Sequence, residues 1–216
     1  MSEIKNNIRH KEGIYFIKPF EIVSSYYSFM DTWEIANKAY KDNDEVADAR
    51  LMQSFFDNAK YGYISYSNWK TKEAFLQSNL TNTVLKYHNA LNGDHSNSAK
   101  HNLYNLLSEE IFIKRTRTKK TLEVVIVETD LSRDDKILEY WKIFCEGIKK
   151  NYEIISASFY KAIYKKSKFR YIGIINVSVS EENKNCIKDS KRNNREEKKK
   201  GFKVYTSLYR TVKKYS

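Results

Sequence analysis

Cysteine is nearly missing from this chain: Cys145 and Cys186 are the two it has, and they stand at no motif spacing. That leaves no disulfide framework and no paired-cysteine metal site. Cys145 falls on the apolar side of a helical pattern, where a reduced structural thiol is expected. Also missing is any run approaching the roughly 18 uninterrupted apolar residues that a membrane span needs. The opening MSEIKNNIRHKEG has no apolar stretch of the kind that directs export. A cytoplasmic protein with no membrane partner is expected. No G-x-G-x-x-G, phosphate-binding loop or H-E-x-x-H pattern occurs, so the common dinucleotide, nucleotide and zinc-protease chemistries lack their signatures.

Excess acid is missing too. The 216 residues carry a net charge of +12, and the first 107 hold 12 basic against 12 acidic side chains, so the whole excess lies in the second half. Much of it sits in KAIYKKSKFR (Lys161 to Arg170) and KDSKRNNREEKKKG (Lys188 to Gly201). A basic face of this kind attracts polyanions, with Lys198, Lys199 and Lys200 as the residues to carry it. The second reading is a solvated, lysine-rich loop. Nucleic acid is disfavoured as a partner, because no strand combines aromatic and basic residues in the RNA-binding pattern.

What is present is a repeat. Laid over itself so that Ile14 falls on Leu122, the chain aligns without a gap as far as Trp69 on Val177. Identities recur along the whole overlap, among them Trp33/Trp141, Ala49/Ala157, Tyr63/Tyr171 and Asn68/Asn176. An internal duplication is the premise that follows. Each copy opens with an apolar, β-rich run, IYFIKPF or LEVVIVET. A serine at an N-cap position, Ser24 or Ser132, then precedes a helix with a tryptophan on its buried side. A β-hairpin follows in each copy. Copy one continues with a helix over Thr71 to Leu91 and a last strand around LYNLLSEEIFIKR, whose Leu103-Tyr104 returns as Leu208-Tyr209. The expected class is α+β, with two ferredoxin-like βαββαβ repeats. Residues 1–12 are a tail, 13–115 the first repeat, 116–120 a linker, and 121–216 a degenerate second repeat with a basic insert near 181–201. Pro19 lies inside a strand that should be central, so a strand end or bulge is expected beside Phe20.

The run IYFIKPFEIV, the tryptophan-bearing helix, ADARLMQSF and KYGYISYSNWKTKEAF together resemble the antibiotic biosynthesis monooxygenase family of dimeric α+β barrels. The resemblance covers about residues 13 to 107, and reaches 121 to 213 through the repeat. It implies an intramolecular pseudodimeric barrel within one monomer, open to further oligomerisation. It also implies a pocket between sheet and helices for a small apolar or aromatic ligand, oxidised with no required cofactor, or heme. In the heme-degrading branch a helix histidine binds iron, and His88, nineteen residues after Trp69, stands where it would fall. Ser78 stands where that branch has a second tryptophan, and Lys18 where it has a strand asparagine, so that residue set is incomplete. The expected site is in the first repeat, lined by His88, Trp69, Ser78, Trp33, Tyr63 and Asn68, with His88 as the metal ligand if heme binds. His88 also reads as a half-buried histidine bonded to a backbone carbonyl, and the tryptophans as core. The second function class left standing is a catalytically silent interaction module.

Overall fold

The computed structural model describes residues 13–21, 29–31, 33, 34, 38, 43–79, 102–112, 120–129, 134–150, 152–178, 194–199 and 202–215. They form β1 (Ile14–Glu21), β2 (Val46–Ser54), β3 (Tyr61–Trp69), α1 (Lys72–Asn79), β4 (Leu103–Ile111), β5 (Lys120–Thr129), α2 (Asp134–Lys149), β6 (Glu153–Ala162), β7 (Tyr171–Ser178), β8 (Asn194–Lys199) and β9 (Phe202–Tyr215). Residues 29–31, 33, 34 and 38 are helical between β1 and β2. The expected caps Ser24 and Ser132 lie outside the described residues, as does most of the helix expected over Thr71 to Leu91. Its start is in place: the Thr71 hydroxyl accepts from the Ala74 N–H at 3.0 Å and caps α1. In α2, Ile137, Trp141, Phe144 and Cys145 are buried at i, i+4, i+7 and i+8, the spacing that turns one helix face inward.

The chain divides into two compact units. The first comprises Glu12–Asn105, Ala162–Lys168 and Thr211–Ser216; the second is built chiefly from Leu106–Lys161 and Phe169–Arg210. In the first unit the strand order is β2-β3-β1-β4, and in the second β6-β7-β5-β9-β8. The pairings within these two sets are antiparallel wherever their register is defined. Two strands divide between the units: β4 leaves the first after Asn105, and β9 enters it at Thr211.

The registers of the two units correspond closely. A bulge interrupts β2 between Val46 and Asp48, and another interrupts β6 between Ile154 and Ser156, the equivalent positions of the repeat. The ungapped alignment fails at the first strand. Ile14 pairs Trp69, whereas Thr121, not Leu122, pairs Val177. The same one-residue displacement recurs on the other edge, where Tyr15 pairs Tyr104 and Leu122 pairs Tyr209. In β1 a register shift falls between Phe20 and Glu21, beside Pro19. Pro19 also lies beyond the two residues, Tyr15 and Phe16, through which β1 pairs β4. One edge of the strand is therefore unladdered there among the described residues, and a residue with no N–H is tolerated.

The second unit departs from the expected βαββαβ order among the described residues. No second helix is described there, and part of the basic run expected to be a solvated insert is a strand. Asn194 to Lys199 pair β9 from Ser207 to Phe202. A short, charged strand suits this place, since charge on an outer strand discourages pairing with other chains.

Candidate functional site

In the first unit β3 alternates, so Tyr63, Ser65, Ser67 and Trp69 share one face. Strand register extends that face: Phe16 lies beside Ser67, Lys18 beside Ser65 and Phe20 beside Tyr63, while β2 brings Ala49 next to Ser67 and Leu51 next to Ser65. Large aromatics gather at both ends. Phe20, Phe29, Met30, Trp33, Leu51 and Tyr63 form one buried cluster, with Val212 and Tyr215 packed on it. Phe16, Trp69, Phe75 and Leu103 form another, joined by Ile163 and Tyr164. Between them runs a band of small side chains, Ala49, Ser65 and Ser67, at 0%, 2% and 3% exposure.

Each tryptophan is tied to this band. The Trp33 Nε1–H donates to Ser65 Oγ at 3.0 Å and the Trp69 Nε1–H to Ser67 Oγ at 2.8 Å. The two serine hydroxyls thus lie between the two aromatic clusters, each accepting from an indole. Lys18 brings a charge to this part of the face: half-buried, with its Nζ 5.3 Å from the centre of the Phe20 ring. Tyr63 stacks on Phe29 at 4.6 Å and accepts a hydrogen bond from Gln53 at 3.2 Å. Tyr215 stacks on Trp33 at 5.8 Å. Burial first, and then the Glu34 carboxylate, push its phenol pKa up. Lys213 reaches the same carboxylate at 3.2 Å.

The matching face of the second unit is filled. Gly173 holds the repeat position of Ser65, and Trp141 lies directly on it: a Cβ added at Gly173 would meet the indole Cζ3 at 2.2 Å. Trp141 stacks on Phe159 at 4.7 Å, and Phe159 on Tyr171 at 5.4 Å. Ile175 and Val177, both fully buried, occupy the places of Ser67 and Trp69. None of these three positions carries a hydroxyl or a charge.

The structure therefore joins Trp33 and Tyr63 in one cluster and sets Trp69 in the other, with the serines between. Ser78 is half-buried on α1 and donates back to the Phe75 carbonyl at 2.8 Å. Asn68, by strand alternation, is on the opposite face of β3, with Tyr66 and next to Asp48. There Arg50 pairs with Asp48 and lies over the Tyr66 ring at 4.8 Å. His88 lies outside the described residues, as do His10, His95, His101 and Lys200. Lys198 and Lys199 stand on β8, opposite Lys203 and Phe202. Among the described residues no group of three or more His, Cys, Asp or Glu could hold a metal ion, and no helix is long and apolar enough to cross a membrane. The serines and Ala49 were the residues that sequence reasoning missed as a site. Their signal was the contrast at equivalent repeat positions, Ser65 against Gly173 and Ser67 against Ile175.

No protein-family model matches the chain, and no curated protein matches it in sequence. Solved structures do match in fold. An anthrone oxidase-like protein superposes with a TM-score of 0.60 at 9% identity, covering 94% of this chain and 93% of its own. A candidate monooxygenase from Fusobacterium nucleatum gives 0.53 at 11% identity, covering 96% of each chain. The chain shares the α+β fold of these proteins.

Proposed function

We propose that this protein is a fused pseudodimer of two antibiotic biosynthesis monooxygenase-like repeats, of which the first binds a flat, apolar small molecule and the second is a filled, structural copy. The observation that carries this is the band of Ala49, Ser65 and Ser67 between two aromatic clusters in the first unit, set against the Trp141–Gly173 contact and Ile175 in the second. Bulges at equivalent positions of the two repeats support the duplication. Aromatic walls offer stacking area, and hydroxyls orient an oxygen-bearing ring.

The reaction that fits is oxidation of an electron-rich tricyclic ring by dioxygen without a bound cofactor. In an anthrone-type substrate a ring methylene becomes a carbonyl; one atom of dioxygen enters the product and the other leaves as water. Heme is the alternative flat ligand, with His88 as its iron ligand.

The test is binding of the neutral fluorophore N-phenyl-1-naphthylamine to the wild type and to Ser67→Phe, which fills the band. Saturable binding that Ser67→Phe abolishes is expected; no saturable binding, or binding that Ser67→Phe leaves unchanged, overturns the site. A hemin titration beside it separates the ligands, since a red-shifted Soret band lost in His88→Ala moves the assignment to heme. A second reading, binding of polyanions through Lys198, Lys199 and Lys200, is supported by the like-charged register pair Lys198 and Lys203 on the β8–β9 ribbon. An unchanged salt slope after neutralising the three removes it.

A further inference from the structure

We propose that the run Ile8-Arg9-His10-Lys11, which lies outside the described residues, docks in line with β1 on the open edge of β4 and keeps that edge from pairing with other chains. This docking does not depend on the ligand site proposed above. Along one edge β4 is bonded to β6: the Ile163 N–H donates to the Leu103 carbonyl and the Phe112 N–H to the Ile155 carbonyl, both at 2.9 Å. On its other edge β1 reaches only Leu103 and Tyr104. Among the described residues, the edge from Asn105 to Ile111 therefore has no partner strand. Leu107, Ile111 and Phe112 are exposed there, at 37%, 53% and 36%. Glu109 accepts from Ser158 Oγ through Oε1 at 3.4 Å, while its Oε2 is buried with no hydrogen-bond partner. The matching edge of β9 is built differently. With Leu103-Tyr104 laid on Leu208-Tyr209, the open positions fall on Arg210, Thr211, Val212, Lys213 and Lys214, beyond the last residue that β5 pairs. Lysine on an open edge discourages pairing and an apolar edge invites it; β4 carries LLSEEI there.

Two copies of β4 set antiparallel about Glu109 or Glu110 would oppose like charges, which is unfavourable across a sheet. The start of the same chain fits better. Tyr15 pairs Tyr104 and Phe16 pairs Leu103, and continuing that register puts Ile8 opposite Ile111, Arg9 opposite Glu110, His10 opposite Glu109 and Lys11 opposite Ser108. One register thus supplies an apolar pair, an opposite-charge pair and a donor for the orphaned Glu109 oxygen. Gly13 fixes where the run begins: a Cβ there would meet Asn68 Oδ1 at 3.0 Å and the Trp69 carbonyl at 3.2 Å, so the chain enters β1 close against the end of β3. Only Glu12 and Gly13 join the run to β1. A tether that short holds the segment beside the edge at roughly millimolar effective concentration.

The experiment is hydrogen exchange on the full chain, read by mass spectrometry over Leu106 to Phe112, in the wild type, Arg9→Glu, Glu110→Arg and the double variant. Amides of β4 bonded to β6 should stay protected throughout, which reports that the sheet is intact in each variant. The wild type should also protect the amides on the other edge, and light scattering should find a monomer. Each single charge reversal should speed exchange at that edge about fivefold, and the double variant should return it to within about twofold of the wild type. Free exchange of those amides in the wild type, or rates that the single reversals leave unchanged, would overturn the proposal. Protection that rises with protein concentration alongside a dimer would overturn it as well, by assigning the edge to a second copy.

Discussion

At the scale of single residues, the buried tyrosines Tyr104 and Tyr209 carry a prediction about alkaline stability. They are 0% and 2% exposed and occupy matching register positions, Tyr104 opposite Tyr15 and Tyr209 opposite Leu122. Burial pushes both phenol pKa values well up from the ordinary 10.0, because a phenolate there would lose its hydration. The folded state therefore keeps two protons that the unfolded chain releases above pH 10. Stability is unaffected below that pH and falls as pH rises through it, by about 1.4 kcal/mol per pH unit for each tyrosine. Urea unfolding at pH 9.0 and pH 10.5 (roughly half a unit above the phenol's ordinary pKa) should show the drop in the wild type. Tyr104→Phe or Tyr209→Phe should each remove about half of the part due to this pair. An alkaline drop equal in the wild type and the double variant would contradict it. The same two residues show how far a sequence reading reaches at this scale. Leu103-Tyr104 and Leu208-Tyr209 were legible as the shared mark of the last strand in both copies. Lys18, by contrast, was legible as a departure from a family pattern but not as a neighbour of Ser65, since that register partner comes from another strand.

At the scale of elements, the packing of α2 on β7 is limited by Gly173. The Trp141 ring occupies the space of a Cβ, and it is itself held against Phe159 and Phe144, at 4.7 and 6.4 Å between ring centres. Moving it means moving a stacked row, not the end of a flexible side chain. Gly173→Ala should therefore destabilise by about 1–3 kcal/mol, the range for overpacking a filled core. The reciprocal change in the first unit, Ser65→Ala, leaves the Trp33 N–H buried without its acceptor, at a cost of about 1–3 kcal/mol. Thermal or urea unfolding measures both; a neutral Gly173→Ala would mean that the indole yields, contrary to the tight contact seen. Strands β1 to β4, helix α2 and the hairpins were legible from periodicity, because alternation and the three-to-four spacing are written locally. Strand β8 was not. Its residues NREEKK have neither alternation nor apolar content, and what makes them a strand is the free edge of β9, a feature of the assembled sheet. The one-residue displacement of β5 was equally hidden, since strand register is set by pairing across the sheet rather than by identities along the chain.

At the scale of the whole molecule, neither unit is one continuous stretch of the chain. The unit holding Trp33 and Trp69 includes Ala162–Lys168 and Thr211–Ser216 from the later half of the chain. Ile163 and Tyr164 pack on the Trp69 cluster, the Ile163 N–H donates to the Leu103 carbonyl at 2.9 Å, and Val212 and Tyr215 pack on the Trp33 cluster. A first repeat expressed alone as residues 1–115 would expose those apolar faces and lose these contacts. Exposed apolar area on that scale favours association, so the fragment should be self-associated or unfolded, not a folded monomer. Co-expression with residues 116–216 should restore a one-to-one complex with the unfolding behaviour of the intact chain. A smaller lesion gives the graded version: removing 211–216 should shift tryptophan emission to the red and lower stability by about 1–2 kcal/mol, through loss of the Tyr215 stack on Trp33. Light scattering of fragment 1–115 decides the larger question. A monomer that unfolds cooperatively would show that the first repeat is self-sufficient and that the fused-pseudodimer reading is wrong. Self-association that the second fragment reverses would show that residues 116–216 supply apolar contacts that residues 1–115 require, as Ile163, Tyr164, Val212 and Tyr215 do in the intact chain.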